Sequence, residues 1–199
     1  MKKSKTINEY VQPYLSSNEK QQDKAQNSKL KGKIVLGEKY GTIKFERHLS
    51  QSKEMIWKAI TETNEIFKWL PNYKGTFEKY EDGSINLVNT VSGSSVTGKI
   101  LVSEPQSVFE YEWHIAPSPM FPIGEPNSLI RWELESDDGD VSKKVNLTLT
   151  HSQLTTSTAL IFAPGWHVYL ERLEANLDKK AIPDWLERLR EVKELYTSQ

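Results

Sequence analysis

APGWHVYLERLEANLD, residues 163–178, is the stretch whose reading decides the fold. Trp166, Tyr169, Leu170, Leu173 and Leu177 recur at intervals of three and four, so they share one stripe of a helix, while Glu171, Arg172, Glu174 and Asn176 occupy the rest. An apolar stripe has to be laid against something. Upstream, from about Gly41, the chain reads mostly as short strands, so the expected partner is an antiparallel sheet curled around this long C-terminal helix, an α+β arrangement. Space between a curled sheet and its helix is where a ligand would sit.

Upstream of the helix the pattern is period two. Residues 42–49 alternate with Ile43, Phe45 and Leu49 on the buried side, which predicts a first strand. A helix capped by Ser50 or Ser52 follows, with Met55, Ile56, Ala59 and Ile60 on its stripe. A second short helix carries Ile66, Phe67, Trp69 and Leu70, and Pro71 stops it. Two short helices thus separate strands 1 and 2. Residues 73–80 and 84–91 then flank Glu81-Asp82-Gly83, where Gly83 is expected to supply a positive φ. Residues 96–104 and 108–115 flank Pro105-Gln106-Ser107, and residues 128–135 and 144–151 close the last hairpin. That makes about seven strands. Phe109, Tyr111 and Trp113 share one strand face, with Glu110 and Glu112 on the other. The proline-rich loop of residues 114–126 carries Met120, Phe121 and Ile123, and apolar residues in such a loop predict a cavity rim. Pro164 either kinks one long helix or starts a fresh one, and a last helix begins after Ile182-Pro183-Asp184.

Composition narrows the function classes. The 199 residues suffice for one domain with a sizeable core, assigned to residues 39–199, behind a polar N-terminal extension of residues 1–38 rich in Lys, Gln, Asn and Ser. Within that extension Ile7, Tyr10, Val11, Tyr14 and Leu15 form a short helical stripe interrupted by Pro13. A net charge of −1, from 26 basic and 27 acidic residues, argues against nucleic acid as a partner. The absence of cysteine excludes disulfides, thiolate metal sites and cysteine nucleophiles. No apolar run approaches the roughly 20 residues of a membrane span, and no secretory leader is legible, so the expected location is cytoplasmic.

Motifs that carry chemistry are sparse. Residues 93–99 match the spacing of a phosphate-cradling loop, but Ile100 stands where a metal-binding Ser or Thr belongs, and the run leads into a strand instead of a helix. His48, His114, His151 and His167 show no metal-ligand spacing, and no catalytic residue, metal or cofactor is assigned. His151 stands out among them. It continues the inward face of Val145, Leu147 and Leu149, so its imidazole points to the apolar side, as a satisfied core group or as a ligand contact.

Several phrases in this order resemble a known family. They are Phe45-Glu46-Arg47 entering Ile56-Trp57-Lys58-Ala59, then Phe67-Lys68-Trp69-Leu70, and Thr97-Gly98-Lys99-Ile100 with Glu104-Pro105. Phe109-Glu110-Tyr111-Glu112-Trp113, Leu147-Thr148-Leu149-Thr150-His151 and Gly165-Trp166-His167 complete the set. The chain is similar to the START and birch-pollen-allergen superfamily, in the branch of the heat-shock-protein-90 ATPase activator homologue. The resemblance implies a helix-grip fold with an apolar cavity that in relatives holds lipids, polyketides, flavonoid-like aromatics or hormones. Carried over by position, the lining residues are Trp69, Phe77, Leu87, Trp113, Trp132, Leu147 and His151 from the sheet side. From the helix they are Phe162, Trp166, Tyr169, Leu170 and Leu173. Three functions are open at this point: a non-enzymatic binder of an apolar or aromatic small molecule, a chaperone-associated or other protein-binding module, and a cyclase- or hydrolase-like enzyme with His151 and a cavity-facing Tyr or Glu as acid and base.

Overall fold

Alternation in residues 41–49 and 145–154 brings two distant strands together, and they form the middle of one half of the sheet. The computed structural model describes residues 30–119, 121–125, 128–136 and 144–197. Among these are nine strands: β1 (Lys33–Leu36), β2 (Gly41–Leu49), β3 (Tyr73–Phe77), β4 (Ser84–Asn89), β5 (Ser95–Glu104), β6 (Val108–Glu112), β7 (His114–Ile115), β8 (Leu129–Ser136) and β9 (Val145–Leu154). All pair antiparallel in the order β1-β2-β9-β8-β6-β5-β4-β3, with β7 beside β5. Four helices accompany them: α1 (Lys53–Thr61), α2 (Thr63–Trp69), α3 (Thr156–Leu177) and α4 (Trp185–Tyr196).

The expected helix-grip architecture is present, with two strands more than the seven expected. β1 arises inside the stretch assigned to the polar extension, where Lys33-Ile34-Val35-Leu36 pairs with the first half of β2. β7 is the far end of the strand expected over residues 108–115, set apart at Trp113, whose N–H donates to Ser128 O at 2.8 Å. The helical stripe of residues 7–15, Met120 of the loop and the turn at residues 137–140 lie outside the described residues.

Local chemistry sets the element ends. Ser52 Oγ accepts from Met55 N–H at 3.3 Å, and Glu54 and Lys58 pair across one turn of α1 at 2.7 Å. Thr155 caps α3 and the Asp184 carboxylate caps α4. Pro164 lies inside α3, which runs on as one helix of 22 residues. The carbonyl it leaves without an amide belongs to Leu160, which is half exposed and can be hydrated. In the hairpin at residues 81–83 the left-handed residue is Asp82 (φ 63°), not Gly83; Asp tolerates that region through its own backbone hydrogen bonding.

β2 lies beside one edge strand and β3 is the other edge, so the segment carrying α1 and α2 runs from one end of the sheet to the other. α3 returns from β9 and packs on β1, β2, α1 and α2, while α4 packs on its back. Gly41 allows the close approach: a Cβ there would stand 2.7 Å from the Ala159 Cβ. The core therefore sits between the inner sheet face and α3.

Candidate functional site

Strand register arranges the inner face in rows. Ile43, His151, Ile130, Tyr111 and Ile100 stand side by side on β2, β9, β8, β6 and β5. The next row is Phe45, Leu149, Trp132 and Phe109. All nine are buried. His151 and Tyr111 are two strands apart, roughly 10 Å at the usual strand spacing, with Ile130 between them.

Above these rows runs a seam of aromatic rings. Trp69 meets Trp132 (6.0 Å between centroids), Trp132 meets Trp166 (5.9 Å), Trp166 meets His151 (5.8 Å), and His151 meets Phe162 (5.6 Å). The three tryptophans meet edge to face, a geometry that favours each pair by about 0.5–1.5 kcal/mol beyond the area it buries. Phe121 of the proline-rich loop closes the end of the seam against Phe162 at 5.5 Å. Glu125 pins that loop, its carboxylate accepting from Thr155 N–H (2.9 Å) and Thr155 Oγ1 (2.6 Å).

Every indole in the seam is satisfied. Trp69 Nε1 donates to Ala59 O at 2.9 Å, Trp132 Nε1 to Tyr111 Oη at 3.1 Å, and Trp166 Nε1 to His151 Nδ1 at 2.8 Å. The last bond determines the tautomer: Nδ1 accepts, so in the neutral ring the proton is on Nε2. That Nε2 is buried and has no partner among the described residues. Burial pushes the His151 pKa down to about 3, so the ring is neutral near pH 7. Tyr111 is in a related position. It accepts from Trp132 but donates to nothing among the described residues, and burial holds its hydroxyl above the ordinary tyrosine range. The seam thus carries two buried donors that no described residue satisfies, one beside Trp166 and one beside Trp132.

The twelve residues expected to line a cavity do not form one uniform wall. Trp69, Trp132, Trp166, His151, Phe162 and Tyr169 follow one another along the seam. Phe77 and Trp113 belong to a second cluster around Tyr111, at 5.1 and 6.2 Å, which the Trp132–Tyr111 bond joins to the first. Leu87, Leu147, Leu170 and Leu173 are fully buried among them. Tyr169 leans outward and stacks on Trp185 of α4 at 5.7 Å.

With this geometry in view, the comparisons with known proteins are informative. Residues 50–178, well over half of the chain, match the family described as activator of Hsp90 ATPase homolog 1-like protein. The chain belongs to that family. Solved structures share the fold of this chain. CalU16 from Micromonospora echinospora is 20% identical, with 84% of this chain and 96% of that chain covered and a TM-score of 0.61. A protein from Mesorhizobium loti is 23% identical (70% and 98% covered, TM-score 0.59), and a conserved protein of unknown function from Enterococcus faecalis is 19% identical (86% and 94%, TM-score 0.57). No curated protein matches it. Among the described residues no helix is long and apolar enough to cross a membrane, and no group of three or more metal-ligating side chains gathers.

The chain also holds a charged network on both sides of α3. Arg47 occupies an inward position of β2 and pairs with Glu174 of α3 at 2.6 Å. On the back of α3, Tyr196 Oη accepts from Gly32 N–H (2.9 Å) and lies 3.1 Å from His167 Nδ1. His167 Nε2 lies 3.2 Å from Glu171, and Arg188 grips Glu171 with two bonds at 2.7 and 2.8 Å. Burial alone would raise the Glu171 pKa, but the Arg188 and His167 hydrogen bonds bring it down to about 2. The polar side of α3 is therefore covered by α4, with Arg172 donating to the backbone of Trp69 and Lys68. The spacing of His167 and Glu171, one helical turn apart, was the available signal.

Proposed function

We propose that this chain binds an apolar, largely flat small molecule between the sheet and α3, without catalysis, through hydrogen-bond acceptors on the molecule that meet His151 Nε2–H and Tyr111 O–H. The observation that carries the reading is the buried Nε2–H of His151 with no partner among the described residues. A buried donor left unmade costs about 1–3 kcal/mol, a cost that a ligand oxygen would remove. Tyr111 supports it from the same row. Two acceptors roughly 10 Å apart on a rigid apolar body, as in a polyketide or a flavonoid-like aromatic, would span them over Ile130. Neither donor suits acid–base catalysis near pH 7, since burial shifts both away from that range.

Native mass spectrometry of the freshly purified chain, followed by denaturing extraction, tests the reading. A one-to-one adduct of an oxygen-bearing apolar mass, released on denaturation and reduced in Tyr111→Phe, is expected. A bare chain that shows no thermal shift with any member of a library of two-acceptor aromatics would overturn it.

A further inference from the structure

A concavity lies outside the sheet–helix space. It is a pocket of about 450 Å³ between α1, α2 and the end of α3. Its apolar surface comes from Met55, Ala59, Leu177 and Ile182, and its charged lining includes Lys58, Lys68, Lys179 and Lys180 against a single carboxylate, Glu65. The volume is within the usual range for small-molecule sites. Four cations above an apolar floor are a pattern that the chain's net charge of −1 does not predict.

The lysines are available to a ligand. Lys58, Lys68 and Lys180 pair with Glu54, Glu65 and Asp178, all on their own helix or beside its end, at 2.6–2.7 Å. Such exposed pairs hold loosely and exchange readily with another anion. Lys179 has no ion pair among the described residues. The end of α3 brings these side chains to the pocket. Lys179 adopts a left-handed backbone (φ 56°), and Lys180 N–H then returns to Ala175 O at 2.9 Å, which closes the helix and turns both lysines beside Leu177.

We propose that this pocket binds a single-chain anionic amphiphile, its carboxylate or other anionic head among the lysines and its aliphatic tail over Met55, Ala59, Leu177 and Ile182. An acid of medium chain length fits both halves of the surface. A cationic amphiphile of the same length fits only one.

The test follows backbone amides of the full chain by ¹H–¹⁵N NMR during titration with octanoate, decanoate and dodecanoate below their micelle concentrations, with decyltrimethylammonium as control. Shifts confined to Lys58, Lys68, Lys179, Lys180 and Ile182 are expected, with Kd falling about twofold to fourfold per added methylene. Affinity should drop at least tenfold in Lys179→Glu/Lys180→Glu, fall in the surface variant Ile182→Asp, and weaken on going from low to high salt. Equal binding of decyltrimethylammonium would overturn the proposal. So would shifts centred on His151 and Phe162 that survive the lysine variants, a result that assigns the amphiphile to the sheet–helix space and leaves the reading of that space standing. Failure of the fatty acids beside binding of an acidic amphipathic peptide would make the pocket a protein-docking surface and overturn it as well. A bare sheet–helix space with shifts at the lysines would sink the other reading alone.

Discussion

His151 and His167 are both fully buried and both near α3, yet their surroundings differ in one respect. Around His167 each ring nitrogen faces a polar group: Tyr196 Oη on one side and, 3.2 Å from Nε2 but outside hydrogen-bond geometry, the Glu171 carboxylate on the other, with Arg188 behind it. Around His151 one nitrogen is satisfied by Trp166 and the other is not satisfied by any described residue. The region behind α3 is a charged and hydrogen-bonded network that ties Gly32, α3 and α4 together. The region in front of α3 is apolar and keeps spare donors. His167 thus sits among charged and polar neighbours, whereas His151 Nε2 is surrounded by apolar ones, where an unmade hydrogen bond costs most.

The comparison can be broken first through pH. The unfolded His151 takes up a proton below about pH 6.5, while the folded ring resists it down to about pH 3. Its contribution to stability is therefore complete above pH 6.5 and is lost as the pH falls from there towards 3, at about 1.4 kcal/mol per pH unit. His151→Asn keeps an acceptor for Trp166 and cannot titrate there. Urea unfolding of this variant between pH 6.5 and 4 should be flatter with pH than that of the parent chain, and parallel curves would show that His151 is not shielded.

Next in size is the charged network. Arg47 is buried but Glu174 is 30% exposed, so Arg47→Leu leaves a carboxylate that water partly solvates and should cost about 1–2 kcal/mol by urea denaturation, and adding Glu174→Leu should restore most of it. If the double variant is as weak as the single, Arg47 acts through packing and not through its charge.

The smallest effect concerns the lysine-lined pocket. Lys179 holds a left-handed conformation where glycine is the usual residue, so Lys179→Gly should stabilise the chain by about 1 kcal/mol in thermal unfolding while weakening decanoate. A gain in stability without loss of decanoate would separate this residue from the pocket.

Much of this was legible from residue spacing, and the remainder was not for identifiable reasons. The long helix, the inward face of β9 and the burial of His151 follow from periods of 3.6 and 2, because burial acts on every turn and every second residue. Arg47 shares the period of Ile43, Phe45 and Leu49, but a charge faces inward only when a counter-charge meets it, and Glu174 lies on an element far along the chain. β1 is a four-residue strand in a polar tract and is formed by pairing with β2, not by its own pattern. The spare proton of His151 depends on Trp166 donating to Nδ1, a contact between strand and helix that no local spacing encodes. The lysine-lined pocket gathers three separate stretches, so no motif announces it.

The central claim is that His151 carries a neutral, unshared Nε2–H that waits for a ligand's acceptor. Long-range ¹H–¹⁵N correlation of the imidazole rings measures this directly. A neutral Nε2–H tautomer unchanged from pH 8 to pH 5, whose Nε2–H proton moves downfield when a flavonoid-like ketone is added, is the predicted result. A ring that carries its proton on Nδ1, gains charge near pH 6.5, or ignores every such ligand would contradict it.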